Sequence, residues 1–188
     1  MKRGFSDLPV LLDQWKPMLG SQADATRLLV RVVAQRGASP KDLQAMRRRG
    51  VQFITLEESQ EAKSKLDGRT LVVRGRFAHD EVSGPASGWT IHERDETSSS
   101  SGAFDRTVTV RAGGRTYVGT YQDESTTFSS KETGRIVQVR GKPGQRTNKE
   151  RDYLFLCRIV EATRPDADSP PDLTVVVEEA AEVTSGFY

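Results

Sequence analysis

The chain's 188 residues, 35% hydrophobic and 29% charged with a mean hydropathy of -0.57, suffice for one compact domain with appendages but not for two full domains. A single cysteine, Cys157, excludes an intramolecular disulfide framework, and with only His79 and His92 to add, no ordinary metal-ligand set can be assembled; neither a metal nor another cofactor is expected. The net charge of +2 conceals a basic head and an acidic tail: residues 1–50 carry ten Lys or Arg against four Asp or Glu, and from Ala162 onward Arg164 alone opposes six carboxylates. Such asymmetry points to an anionic partner or to association of the two ends, with solvated charge as the plainer alternative.

The longest apolar stretches, such as Tyr153 to Cys157 and Leu173 to Val177, and shorter ones such as Leu28-Leu29-Val30, fall far short of the roughly 20 residues a membrane span needs, so no span is expected. In the first residues Asp7, Asp13 and Lys16 interrupt what a secretory segment would keep apolar. With a lone thiol, this leads us to expect a cytoplasmic protein.

From Ser6 to about Glu61 the pattern is helical. Ser6 is placed to cap a segment with Leu8, Leu11, Leu12 and Trp15, which Pro17 ends or kinks. Ser21 caps a stronger one, where Ala25, Leu28, Leu29, Val32 and Val33 recur at helical spacing and Gly37 closes the run. Ser39-Pro40 opens a third helix, through Leu43 and Met46 to the stop at Arg47-Arg48-Arg49-Gly50. A short fourth helix, Leu56 to Leu66, leads to the turn signal Asp67-Gly68. Set against a helix-turn-helix, the second and third helices fit poorly, since Arg36 falls where an apolar residue is wanted; a small hydrophobic hairpin is the better reading.

Beyond Gly68 the period changes to two. Thr70 to Phe77, Trp89 to Arg94, Thr107 to Arg111, Thr116 to Tyr121, Ile136 to Arg140 and Tyr153 to Val160 read as strands. Between them lie Gly84 to Gly88, the Ser-rich run 96–102 expected to be a mobile loop tip, Gly113-Gly114, and the loop Gly141 to Arg151. Five or six strands with no long helix between them predict a small, closed or nearly closed antiparallel barrel. The following Arg164 to Asp172, rich in Pro and Asp, reads as a linker ahead of the apolar run Leu173 to Val177.

The segment Glu58 to Arg76, with its Glu-Ala-Lys helix, its Asp67-Gly68 turn and the strand Val73-Arg74-Gly75-Arg76, resembles the entry to the tRNA-anti-like OB-fold family. Ile136 to Lys142 and Leu154 to Val160, including Cys157, are similar to the family's fourth and fifth strands. The resemblance covers roughly residues 58–162 and implies a mainly β fold, a small five-stranded OB-fold-like barrel over 67–162. It leaves unexplained the helical N-terminal extension over 1–66 and the acidic, flexible C-terminal tail over 163–188, which are read from periodicity and composition alone. OB-folds bind single-stranded nucleic acid or oligosaccharide, or serve as protein-interaction modules.

Within that frame Trp89, His92, Tyr117 and Tyr121 fall where base-stacking side chains would sit, with Arg94, Arg111 and Arg115 near enough for phosphates; the alternative is that the aromatics cover the barrel. Alternation turns Arg74, Arg76 and Arg140 outward as an electrostatic track, although the barrel as a whole carries fifteen basic against thirteen acidic residues between Leu66 and Glu161. No nucleophile elbow, phosphate loop or paired-carboxylate motif is present, so no catalytic residue is assigned and a non-enzymatic protein is expected. Cys157 reads as a buried, inert thiol.

These features define two competing functions. In the first, the protein is a protein-interaction component of a larger cytoplasmic assembly, docking through its apolar appendages. The candidate partner-binding residues are Leu173, Val175 and Val177 of a detachable tail peptide, with Arg47, Arg48 and Arg49 attracting its carboxylates. In the second, it binds single-stranded DNA or RNA on the barrel face. The near balance of charge on the barrel favours the first.

Overall fold

The computed structural model describes residues 21–36, 44, 47–48, 51–79, 88–112, 114–141 and 148–183. It is mainly β, with helices α1 (Gln22–Arg36) and α2 (Leu56–Glu61) and strands β1 (Ile54–Thr55), β2 (Thr70–His79), β3 (Trp89–Ala112), β4 (Arg115–Val139), β5 (Tyr153–Thr163) and β6 (Asp172–Glu182). Two compact units divide the chain. One takes Gln52–Asp95 and Lys131–Ala181; the other takes Met1–Val51, Glu96–Ser130 and Glu182–Tyr188.

In the first unit, Thr55 begins α2 with a capping box: its hydroxyl accepts from the Glu58 amide (3.2 Å) and its own amide donates to the Glu58 carboxylate (2.9 Å). The helix stops at Glu61 rather than reaching Leu66. Ala62 is extended, and the carbonyls of Gln60 and Ala62 accept from the Arg164 guanidinium (3.4 and 2.6 Å). The Asp67-Gly68 turn forms as expected, with Gly68 at φ +80° and its amide donating to the Ile159 carbonyl at 2.7 Å.

Strand β2 serves two neighbours in succession. Thr70 to Gly75 pair antiparallel with β5, and Gly75 to His79 pair antiparallel with β3. Strand β3 neighbours β4, which meets β6 in parallel at Gln138↔Thr174 and Val139↔Val175, and β6 neighbours β5. The pairings thus run β2-β3-β4-β6-β5 and return to β2, a closed ring of five strands with β1 parallel to β2 outside it. Period-two alternation sends Leu71, Val73 and Phe77, Ile91, Val137 and Val139, Phe155, Cys157 and Ile159, and Leu173 and Val175 into one core. Phe77 and Phe155 meet edge to face with centroids 5.5 Å apart. Each fully buried Leu, Ile or Phe here contributes about 1.5–3 kcal/mol through burial.

In the second unit, Ser21 caps α1 by accepting from the Asp24 amide at 3.2 Å. Leu28, Val30, Val32, Val33 and Ala34 of the helix are buried, as are Val108, Val110 and Tyr117 of the strands. Gln35 donates to the Thr109 carbonyl (2.6 Å) and Arg31 to that of Arg111. Carbonyls two residues apart point to the same edge of a strand, so α1 satisfies one edge of β3 with side chains.

Several expectations are corrected. The Ser-rich run 96–102 is part of β3, which joins the two strands expected at 89–94 and 107–111; β4 likewise joins those at 116–121 and 136–140. Serine and threonine tolerate extended backbone, and composition alone does not separate a loop tip from a long polar hairpin. Residues 96–130 belong to the same compact unit as α1, so the boundary expected between a helical extension and the strands is crossed. The flexible tail is likewise replaced by strand: Asp172–Glu182 is β6, with Leu173 and Val175 in the core. The Pro-rich connection before it is ordered by Asp166, whose carboxylate accepts from the amides of Asp168 (3.1 Å) and Ser169 (2.7 Å), and by Arg164, which donates to the Ser169 carbonyl at 2.8 Å. The helix expected from Ser6 lies outside the described residues; of the one expected at 40–49, Gln44, Arg47 and Arg48 are described and are helical.

Candidate binding face of the strand ring

Because Leu71, Val73 and Phe77 face the core, Arg74 and Arg76 are turned to the opposite side of β2, and because Ile91 faces inward, His92 and Arg94 are turned outward on β3. The register Arg76↔His92 sets the two rows side by side. Pairing of Gly75 with Tyr153 brings Asp152, the residue before β5, to the same place. Asp152 Oδ1 receives Arg76 Nε at 2.6 Å and Arg94 Nε at 3.5 Å, and Oδ2 receives Arg74 Nη2 at 3.5 Å. Arg94 Nη1 also reaches Glu132 of β4 at 3.0 Å.

Exposure separates the members of this cluster. The side chains of Arg74, Asp152 and Arg94 are 9%, 11% and 12% exposed, whereas Arg76 is 38% exposed and Glu132 is 62% exposed. Asp152 therefore gathers three guanidiniums from two strands in a largely desolvated setting, with the Arg76 bond the short charge-assisted one and Arg74 and Arg94 held at longer range. Glu132 is itself largely in solvent, which weakens its pair with the enclosed Arg94.

On the inward side of β3, Glu93 accepts from Arg135 and from the Thr133 hydroxyl (2.7 Å). Arg140 pairs with Glu161 at 3.1 Å and Arg158 with Glu178 at 3.3 Å, both at exposed positions. Cys157 is buried, and its desolvation, with Glu178 adding to it, pushes the thiol far above its ordinary range. Among the described residues no cluster of His, Cys, Asp and Glu is arranged to hold a metal ion.

The residues singled out from sequence disperse. Arg74, Arg76, His92 and Arg94 come together as above, but Arg74 is too enclosed to form part of a surface track. Trp89 is half-buried, packed edge to face on Phe77 (5.4 Å) and His79 (4.6 Å) and against the core, which is the covering role rather than an open stacking face. Tyr117 is buried and, with the exposed Arg111 and Arg115, belongs to the other compact unit. The side chains of Tyr121 and Arg49 lie outside the described residues, Arg47 is half-buried and Arg48 exposed. Arg140 is exposed and engaged by Glu161. Leu173 and Val175 are core residues and Val177 packs against them, so none of the three is presented to a partner.

Sequence reasoning missed Asp152 and Glu132, the carboxylates that organise the arginines. Asp152 is 78 residues from Arg74 along the chain, and only closure of the ring unites them. The faint signal was a carboxylate placed directly before the strand that pairs with the Arg74 segment. The chain matches no protein-family model, no curated protein and no solved structure with which it was compared.

Proposed function

We propose that the protein is a non-enzymatic binding module built on a five-stranded OB-type barrel, acting as a protein-interaction component of a larger cytoplasmic assembly. The observation that carries this reading is the strand order. An OB barrel pairs its first strand with both its second and its fourth, and closes by setting its third parallel to its fifth. With β2 as the first strand, β3 to β6 take the second to fifth places, and β4 runs parallel to β6. The topology supports an OB-type ring, with the strand places shifted from the sequence expectation: Ile136 to Val139, expected in the fourth strand, lies in β4 in third place, and Leu154 to Val160, expected as the fifth, lies in β5 in fourth place, so β6 supplies the fifth.

Protein rather than nucleic acid is favoured by how the arginines are used. A polyphosphate track needs guanidiniums with solvent-facing donors in a row. On this ring Arg74 and Arg94 are largely enclosed around Asp152, Arg135 is held by Glu93, and Arg76 alone of the arginines around Asp152 is substantially exposed, so these arginines form no continuous row. The test is capture from native lysate by the full chain, with and without nuclease. Capture of defined proteins that survives nuclease is expected; loss of all bound protein on nuclease treatment, with single-stranded DNA or RNA recovered instead, would establish the nucleic-acid alternative.

A further inference from the structure

We propose that the arginine cluster of β2 and β3 is the docking point for a carboxylate of an acidic peptide segment on the partner protein, and that Glu132 occupies this point until the partner arrives. The inference rests on the protein-binding reading and adds the chemistry of recognition to it. Within the cluster, Asp152 is the fixed carboxylate: it is largely buried and shared by three guanidiniums. Glu132 is the exchangeable one, since it is 62% exposed and contacts the cluster only through Arg94 Nη1 at 3.0 Å. Releasing it to water costs little, because an exposed carboxylate recovers its hydration.

Arg76 provides the receiving head. It bonds Asp152 through Nε alone, at 2.6 Å, and its side chain is 38% exposed. The Asp152 bond engages Nε and leaves the two terminal nitrogens as donors for a second carboxylate, the pattern of bidentate recognition. Two carboxylates of the chain itself, reaching the cluster from different elements, already show which ligand chemistry it accepts. The side-chain row is short, spanning two strands, and suits one or two acidic side chains rather than a polymer backbone that needs a continuous track.

The experiment uses the full chain and a fluorescein-labelled peptide of alternating Asp and Glu, followed by anisotropy at low salt, with a peptide of Asn and Gln as the neutral control. Saturable binding of the acidic peptide alone is expected, weakening as salt rises. Arg76→Gln should weaken it roughly tenfold, the scale of a hydrogen-bonded charge pair, and Glu132→Gln should tighten it. Glu132 is 62% exposed, so Glu132→Gln should keep the wild-type thermal transition; Arg76→Gln removes the 2.6 Å bond to the largely buried Asp152 and should lower it, so its affinity is read at a temperature where circular dichroism shows that variant fully folded. Absence of saturable binding to wild type and Glu132→Gln, or equal affinity in Arg76→Gln, overturns the proposal, as does displacement of the peptide by single-stranded DNA at lower concentration than by unlabelled peptide. If Arg76→Gln still captures the same nuclease-resistant proteins as wild type, docking lies elsewhere and the protein-binding reading stands without this site.

Discussion

Gly75 is the residue at which β2 changes neighbours, paired at once with Tyr153 of β5 and Glu93 of β3. A Cβ there would lie 2.3 Å from the His92 carbonyl oxygen, a backbone atom that has no flexible side chain to swing away. The strands approach this closely only because glycine leaves the space empty. Gly75→Ala is therefore expected to lower stability by about 2–3 kcal/mol through overpacking, read as a drop in Tm. Asp152→Ala removes the carboxylate shared by three guanidiniums and leaves their charges facing one another; discounted for the partial exposure of Arg76, the expected loss is about 2–3 kcal/mol. Cys157 should resist a thiol reagent in the native state and react fully in denaturant. The burial that raises its pKa also sets a sign: above the ordinary thiol value of about 8.5 the unfolded chain releases a proton that the folded chain retains, so stability falls as pH rises past that point.

At the scale of elements, β2 was legible because Val73-Arg74-Gly75-Arg76 alternates cleanly and a turn signal precedes it. The hairpin of β3 and β4 was legible only in pieces, since its polar middle carries no apolar alternation to mark it as strand. The identity of β6 was hidden by its surroundings: Pro165, Pro170 and Pro171 signal a break, and the contacts that fold the connection, from Arg164 to the end of α2, join residues about a hundred positions apart. Outward placement of Arg74 and Arg76 followed from alternation, but the carboxylate that holds them could be found only from the closed ring. Because β6 supplies Leu173 and Val175 to the core and, among the described residues, is the strand that joins β4 to β5, truncation after Thr163 should abolish the cooperative thermal transition of this unit rather than spare it. The milder Leu173→Ala should cost about 3 kcal/mol, checked by denaturant titration at unchanged m-value.

For the molecule as a whole, the ring and its arginine cluster form a scaffold on which the proposed binding function depends, and the scaffold depends on β6 closing it. Closure predicts that β6 opens only when the ring opens. Amide hydrogen exchange reads this most directly, since the protection of each segment reports the free energy of the opening that exposes it. The amides of Leu173 to Val177, and the Arg140 amide that donates to the Val175 carbonyl at 2.8 Å, should exchange with the same free energy as those of Leu71 to Gly75 in β2 and Leu154 to Cys157 in β5. Rapid exchange across Leu173 to Val177 while β2 and β5 stay protected would show the segment to be a detachable peptide and would contradict the closed ring.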